Sequence, residues 1–365
     1  MQCGWVQFGQ VCYAMLPRVP KANVITHADR WSGVEECGWL VRLVGQARLW
    51  PAAVRVYVWR SSTGYDRAVA ATAKLLAISD LHVAYDDNRA IVERLRPHND
   101  RDWLIIAGDV GEMVGDVEWA LSLLCRRFAR VVWAPGNHEL WTPVSDPVQL
   151  RGVARYDELV SLCRGLGVVT PEDPYPVWEP ANEEPLRIVP LFLLYDYTFR
   201  PAGTNTKTEA LQRAYDTGTV CTDEFLLHPN PYPTREAWCA ARIEHTQARL
   251  DQLDDMRTVL VNHFPLTREP TRMLRFPEFA QWCGSVHTGD WHLRYRAAAV
   301  VYGHLHIPGM MWVDGVPTFE VSLGYPQEWR HRTGREPGTL TQIRPSADPA
   351  TSGINLRRPL PQGRM

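Results

Sequence analysis

Five short polar patches carry the residues in this chain that are equipped for chemistry. They are Asp80-Leu81-His82, Gly108-Asp109, Gly136-Asn137-His138-Glu139, Asn262-His263 and Gly303-His304-Leu305-His306. Imidazoles, carboxylates and a carboxamide are the side chains that bind hard or borderline divalent metals. Taken singly, most have ordinary explanations. Asp109 after Gly108 reads as a turn or helix-cap residue, Asn137 as a turn residue and His263 as a buried, hydrogen-bonded histidine. The Gly-His-x-His patch is the stronger metal signal. Taken in order they point to a metal site, because each buried polar side chain would otherwise need its own partner. Asp80 and His82 are two residues apart and share one side of an extended chain, as do His304 and His306. Glycines at 108, 136 and 303 permit sharp turns or a close approach of backbone to ligand.

Every patch follows an apolar run that reads as a strand. Leu75-to-Ile78 leads to Asp80, Trp103-to-Ala107 to Asp109, and Val131-to-Ala134 to Asn137. Val259-to-Val261 leads to His263, and Ala297-to-Tyr302 to His304. Ala90-to-Leu95, Val117-to-Phe128, Arg155-to-Leu166 and Arg235-to-Leu253 carry helical spacing between them. Ile188-to-Tyr195 is predicted as a further strand ending at Asp196, and Thr318-to-Leu323 as the last core strand. The stretch Thr204-to-Pro233 is polar and proline-marked, which predicts a lid or insertion. Continuous apolar strands alternating with helices predict an α/β fold with its sheet covered on both faces. The steps from Asp80 to Asp109 and on to Asn137 are about 28 residues each, one strand-helix-strand unit. In such sheets ligands gather beyond the carboxyl ends of the strands, where all five patches fall.

A chain of 365 residues with a net charge of −2 has no electrostatic reason to track nucleic acid or a membrane surface. No apolar run reaches the roughly 18 residues of a spanning helix, and the start lacks a basic-then-apolar leader. The expected compartment is the cytoplasm. The eight cysteines are dispersed with no Cys-x-x-Cys pair, so a thiolate zinc site is unsupported. Residues 1–72, rich in Trp and Arg and without a sustained period, are expected to be a poorly ordered extension or to precede the native start. Residues 73–332 form the expected catalytic domain, and 333–365, rich in Pro, Gly and Arg, a flexible tail.

The ordered set resembles the calcineurin-like metallophosphoesterase superfamily, whose five motifs it reproduces between residues of about 75 and 325. The resemblance implies a β-sandwich flanked by helices with a dinuclear metal site at the strand ends. It implies one metal on Asp80, His82 and His306, a second on Asn137, His263 and His304, and Asp109 bridging them. Catalytic His138 would face the phosphoryl group, and Glu139 would support its loop by hydrogen bonds. The mixed nitrogen and oxygen ligands suit Mn or Fe, with Zn or Co as further candidates.

Neighbouring segments extend the likeness. Asn88, Pro135-to-Thr142, Phe192-to-Tyr197, Asp223-to-Leu227, Val261-to-Leu266, Tyr302-to-Pro308 and Gly324-to-Trp329 resemble the actinobacterial phosphopantetheinyl hydrolases. That implies hydrolysis of the 4′-phosphopantetheine–serine bond of a holo acyl carrier protein. An acidic carrier calls for a basic rim, with Arg126, Arg127 and Arg130 or Arg330, Arg332 and Arg335 as candidates. Tyr195, Asp196 and Tyr197, and also His287 and His292, are candidates to line the cleft. A general or cyclic-nucleotide phosphodiesterase and a non-catalytic scaffold are the alternatives. A nuclease would want a basic stripe that the chain lacks.

Overall fold

The computed structural model describes residues 72–181 and 183–345. The expected extension before residue 72 and the end of the chain beyond 345 lie outside the described residues. In chain order the first half contains β1 (Leu75–Ile78), α1 (Asp86–Val92), β2 (Trp103–Ala107), α2 (Val114–Cys125), β3 (Arg130–Ala134) and α3 (Val153–Gly165). Next come β4 (Val177–Trp178), β5 (Leu186–Pro190), α4 (Lys207–Asp216), α5 (Asp223–Leu226) and α6 (Arg235–Leu250). The last elements are β6 (Thr258–Val261), α7 (Trp291–Arg294), β7 (Ala297–Tyr302), β8 (Gly309–Val313), β9 (Val316–Glu320), α8 (Pro326–Trp329) and β10 (Thr341–Arg344).

Two mixed sheets form, ordered β10-β1-β2-β3 and β4-β5-β6-β7-β9-β8. β1, β2 and β3 are parallel, as are β5, β6, β7 and β9, while β10, β4 and β8 pair antiparallel at the edges. Side chains alternate across each strand, so every central strand feeds two cores. Leu75, Ala77, Ile105, Ala107 and Val132 meet Ile188, Val259, Val261, Ala299 and Val301 in the layer between the sheets. Leu76, Ile78, Leu104, Ile106 and Trp133 point the other way, onto Val117, Leu121, Leu124 and Leu159 of α2 and α3. Val189, Leu260 and Val300 likewise pack on Leu250, Trp291 and Tyr295. The result is helices, sheet, sheet, helices. Both faces of both sheets are buried, which is why the strands read as unbroken apolar runs.

Two expectations need correction. Ile188-to-Tyr195 is not one strand: β5 stops at Pro190, and Leu191-to-Tyr195 is buried but unpaired in a ladder. An apolar run reports burial, not ladder pairing. Thr204-to-Pro233, expected as a lid or insertion, contains α4, capped by Thr206 accepting from Glu209 N–H, and α5. The expected flexible tail begins too early at 333, because β10 pairs with β1 and buries Ile343 between the sheets. β9 is therefore not the last core strand. The β8–β9 hairpin was also missed, although Asp314-Gly315, both at positive φ, is a strong two-residue turn signal.

Candidate metal centre

All seven candidate ligands and His138 converge where the carboxyl ends of β1, β2, β3, β6 and β7 meet. Asp80, His82 and His306 form one group and Asp109, His263 and His304 another, the candidate ligand atoms of each lying within 4.8 Å of one another. Asn137 Oδ1 joins the second group, 3.1 Å from His263 Nε2. Asp80, His82, Asp109, His304 and His306 all have φ between 41° and 68°. That left-handed region costs a residue with a Cβ roughly 1–3 kcal/mol, and surrounding structure must hold it.

The holding bonds are explicit. Asp80 N–H donates to Gly108 O and His82 N–H to Asp109 O, at 2.9 and 3.1 Å. On the other side Gly324 N–H donates to Asp80 O at 3.1 Å. The first loop is thus strapped to both sheets. Asn88 bonds Leu81 O and Gly324 O and accepts from Trp329 Nε1–H, closing the strap. Glu139 accepts from the N–H groups of Asp109, Val110 and Gly136 and from Trp133 Nε1–H. Glu139 thus acts on the loop, as expected. Burial and the Asp109 carboxylate push it up to about 7, against these four donors that favour the ionised form. A Cβ on Gly303 would collide with Asp80 and Ser79, and one on Gly136 with Asp109. These two glycines are required for close approach rather than for turning.

The side chains are oriented so that their candidate donor atoms face each other. His263 Nδ1–H donates to Ala107 O at 2.8 Å, so Nε2 is turned to Asp109 Oδ2 at 3.2 Å and Asn137 Oδ1 at 3.1 Å; against burial, the Asp109 carboxylate raises the imidazole to about 9, a proton standing where a cation would. Asn137 cannot answer with its Nδ2, which donates to Asp223 Oδ1 at 2.9 Å. His306 Nδ1–H donates to Glu328 at 2.6 Å, leaving Nε2 toward Asp80 Oδ1 at 3.0 Å and His82 Nε2 at 3.3 Å. Acceptors pointed at acceptors are repulsive unless a proton or cation lies between them. With nitrogen and carboxylate donors and outer carboxylates fixing the histidine tautomers, the residues fit divalent metals. Burial alone would raise Asp80, but His306 beside it holds the carboxyl well below the usual range. Asp109 is likewise held down, by His263 and His138, so the floor carries ionised carboxylates.

His138 borders both groups: its Nε2 is 3.8 Å from Asp109 Oδ2, and with His82 and Glu112 it forms a third cluster of possible ligand atoms within 4.8 Å. Its Nδ1 meets Glu112 Oε1 at 2.9 Å, its ring stacks on Trp141 with centroids 3.7 Å apart, and Nε2 is 3.4 Å from Tyr325 Oη. Burial opposes charge on Glu112, yet His138 and His82 hold its carboxyl well below the usual range. A carboxylate on Nδ1 leaves Nε2 as the working nitrogen. The site opens into a cleft lined by Asp109, His138, Val220, Cys221, Phe279 and Tyr325 among others.

Sequence reasoning gave the second layer of residues no role. Asp223, Tyr325 and Glu328 fall in segments that carried the resemblance but were assigned nothing, and Glu112 lies outside every such segment, because a single acid carries no local signal. Arg155, fully buried, donates to Glu139 O, Glu112 O and Asp146, tying α3 to two ligand loops. Asn262 is structural, accepting from Leu193 N–H and donating to Phe264 O. Tyr195, Asp196, Tyr197, His287 and His292 do not line the cavity. Tyr197 instead bonds Glu224 and Arg235, and His292 bonds Asp314. Neither proposed basic rim is free: Arg127 donates to Val92 O and Leu95 O, Arg332 to Leu323 O and His306 O, and Arg330 pairs with Asp87. Arg130 begins β3, at the end of the strand opposite the site.

Residues 73–308 match the family model described as calcineurin-like phosphoesterase. The chain is 53% identical over 298 residues to [acyl-carrier-protein] phosphodiesterase PptH of Mycobacterium tuberculosis, covering 81% of this chain and 90% of that one. The crystal structure of the phosphopantetheinyl hydrolase PptH from the same organism superposes with a TM-score of 0.73 at 54% identity, covering 77% of this chain and 98% of that one.

Proposed function

The chain belongs to the calcineurin-like phosphoesterase family, and from that premise we propose that it is a phosphodiesterase hydrolysing the 4′-phosphopantetheine–serine bond of a holo acyl carrier protein. Membership and the two ligand clusters make it a metal-dependent phosphoester hydrolase with a dinuclear divalent-metal site. The carrier-protein reading is carried by the 53% identity to a carrier-protein phosphodiesterase across most of both chains.

In this reading Asp80, His82 and His306 would hold one metal and Asn137, His263 and His304 the other, with Asp109 as a ligand shared by both. Two bound cations would lower the pKa of a water and offset charge on the phosphoryl oxygens. Mn or Fe is our assignment, and Zn or Co also suits the mixed donors. The protein's own contribution centres on His138. Glu112 holds Nδ1–H, so Nε2 faces the cavity, where it can donate to a phosphoryl oxygen or deliver a proton to the departing serine oxygen. Trp141 stacked on the ring fixes its plane, which restricts the proton's direction. The apolar cavity wall of Val220, Phe279 and Leu305 gives the arm a surface to lie on.

The test is incubation of the metal-loaded enzyme with holo carrier protein, a cyclic nucleotide and a generic diester. Mass analysis of the carrier should show loss of its arm. An untouched carrier alongside rapid cleavage of the cyclic nucleotide would transfer the assignment to a general phosphodiesterase. No turnover of any substrate with Mn or Fe added would favour a scaffold.

A further inference from the structure

The candidate arginine rims being pinned or remote, the positive surface must be sought elsewhere. The segment from Arg268 to Phe276 follows the His263 patch and precedes the cavity wall. It contains the 3-10 turn Glu269–Met273, and the next 3-10 turn, Pro277–Trp282, carries Phe279. Phe279 lines the cavity and stacks on His304 with centroids 5.5 Å apart. Leu274 packs beneath with Phe199, Ala280, Tyr302 and Leu305, and Leu305 lines the same cavity. This small apolar cluster is therefore the back of the cavity wall.

The outward side chains of that segment are Arg268, Arg272 and Arg275, all exposed, with Met273 40% exposed between them. None of the three arginines makes an ion pair among the described residues; Arg268 donates to Arg200 O, while Arg272 and Arg275 are the two left to face a partner. The nearby acids do not neutralise them: Glu278 is buried and paired with Arg213 at 3.4 Å, and Glu269 is half-buried. Three arginines and a methionine form a positive patch with an apolar centre, the composition enriched at interfaces. Arg272 and Met273 lie in the first of these turns, Arg275 lies between the two, and the second turn carries the cavity-lining Phe279. A partner seated on this segment would lie beside the wall over which a flexible arm could extend toward the site.

We propose that Arg272 and Arg275, with Met273 between them, form the docking surface for an acidic face of the carrier protein. This rests on the carrier-protein reading above. Charges at such a rim govern encounter and orientation more than the chemical step. The experiment compares wild type with Arg272→Glu/Arg275→Glu, and with Arg126→Glu/Arg130→Glu as a control remote from the site. Substrates are holo carrier protein at two ionic strengths and bis(p-nitrophenyl) phosphate. We expect KM for the carrier to rise about tenfold and to lose its salt dependence, with kcat little changed and turnover of the small diester intact. The control should behave as wild type. Should the reversal also impair the small diester, Arg272→Gln/Arg275→Gln replaces it, with a smaller rise in KM expected. An unchanged KM, or an equal rise in the control, overturns the docking surface while leaving the carrier reading standing. A wild-type enzyme that leaves the carrier's arm in place overturns both.

Discussion

At the scale of single residues the proposed roles separate groups that would hold metal from one that would handle a proton. His138 is held at Nδ1 by Glu112 and faces the cavity with Nε2. His138→Ala should therefore keep both metals and lower kcat by about 10²–10⁴-fold, the usual worth of general acid catalysis. Metal analysis beside steady-state kinetics checks this, and equal loss of metal would make His138 a ligand. Asp109 is the only carboxylate facing His263 and His138 together among the described pairs. Asp109→Ala should release both metals, and wild-type metal content in that variant would defeat the bridging role. The residue types and order of these groups were legible in the chain. Glu112 was not, and Tyr325 was legible only as part of a familiar segment, because the role of each comes from a distance of 2.9 or 3.4 Å to His138 that no spacing encodes.

At the scale of elements, two short helices steer one ligand each. α5 supplies Asp223, whose Oδ1 accepts from Asn137 Nδ2 and Trp141 Nε1. α8 supplies Glu328, which accepts from His306 Nδ1 and from Tyr325 N–H. Losing an outer partner of a ligand costs about 10–100-fold in metal affinity. Asp223→Ala should weaken the Asn137 site alone, and Glu328→Gln the His306 site alone. Competition with a chelator, metal by metal, separates the two; parallel loss of both metals in either variant would contradict the assignment. α5 sits inside the stretch read from sequence as a lid. That stretch is polar because much of it is surface, yet Val220, Cys221 and Thr222 before α5 line the cavity. Composition registered the exposure and not the inward contacts.

At the scale of the whole molecule, the two sheets share one apolar layer, and β10 closes it from the far end of the chain. Ile343 is 1% exposed there. Burying such a side chain is worth roughly 1.5–3 kcal/mol. Ending the chain at residue 340 also strips β1 of its antiparallel neighbour. The melting temperature should fall by about 5–10 °C on the ordinary scaling for a domain of this size. Scanning calorimetry on chains ending at 340 and at 345 decides it, and equal melting of the two would remove β10 from the stability of the fold. Among the described residues no helix is long and apolar enough to cross a membrane.

What the sequence determined by itself was the type and order of the candidate donors, because a metal demands particular donor atoms and the ends of apolar strands present them in a readable order; the reaction class came with the family resemblance those motifs carry. It also determined the central strands, since burial on both faces leaves unbroken apolar runs such as Leu75–Ile78 and Ala297–Tyr302. The tertiary structure alone decided which acids orient the ligands, that Arg155 ties α3 to two ligand loops, and that a segment rich in polar residues returns as β10. It also decided which arginines face solvent beside the cavity wall. Those are facts of long-range contact, and contacts between residues far apart leave no period or spacing in the chain.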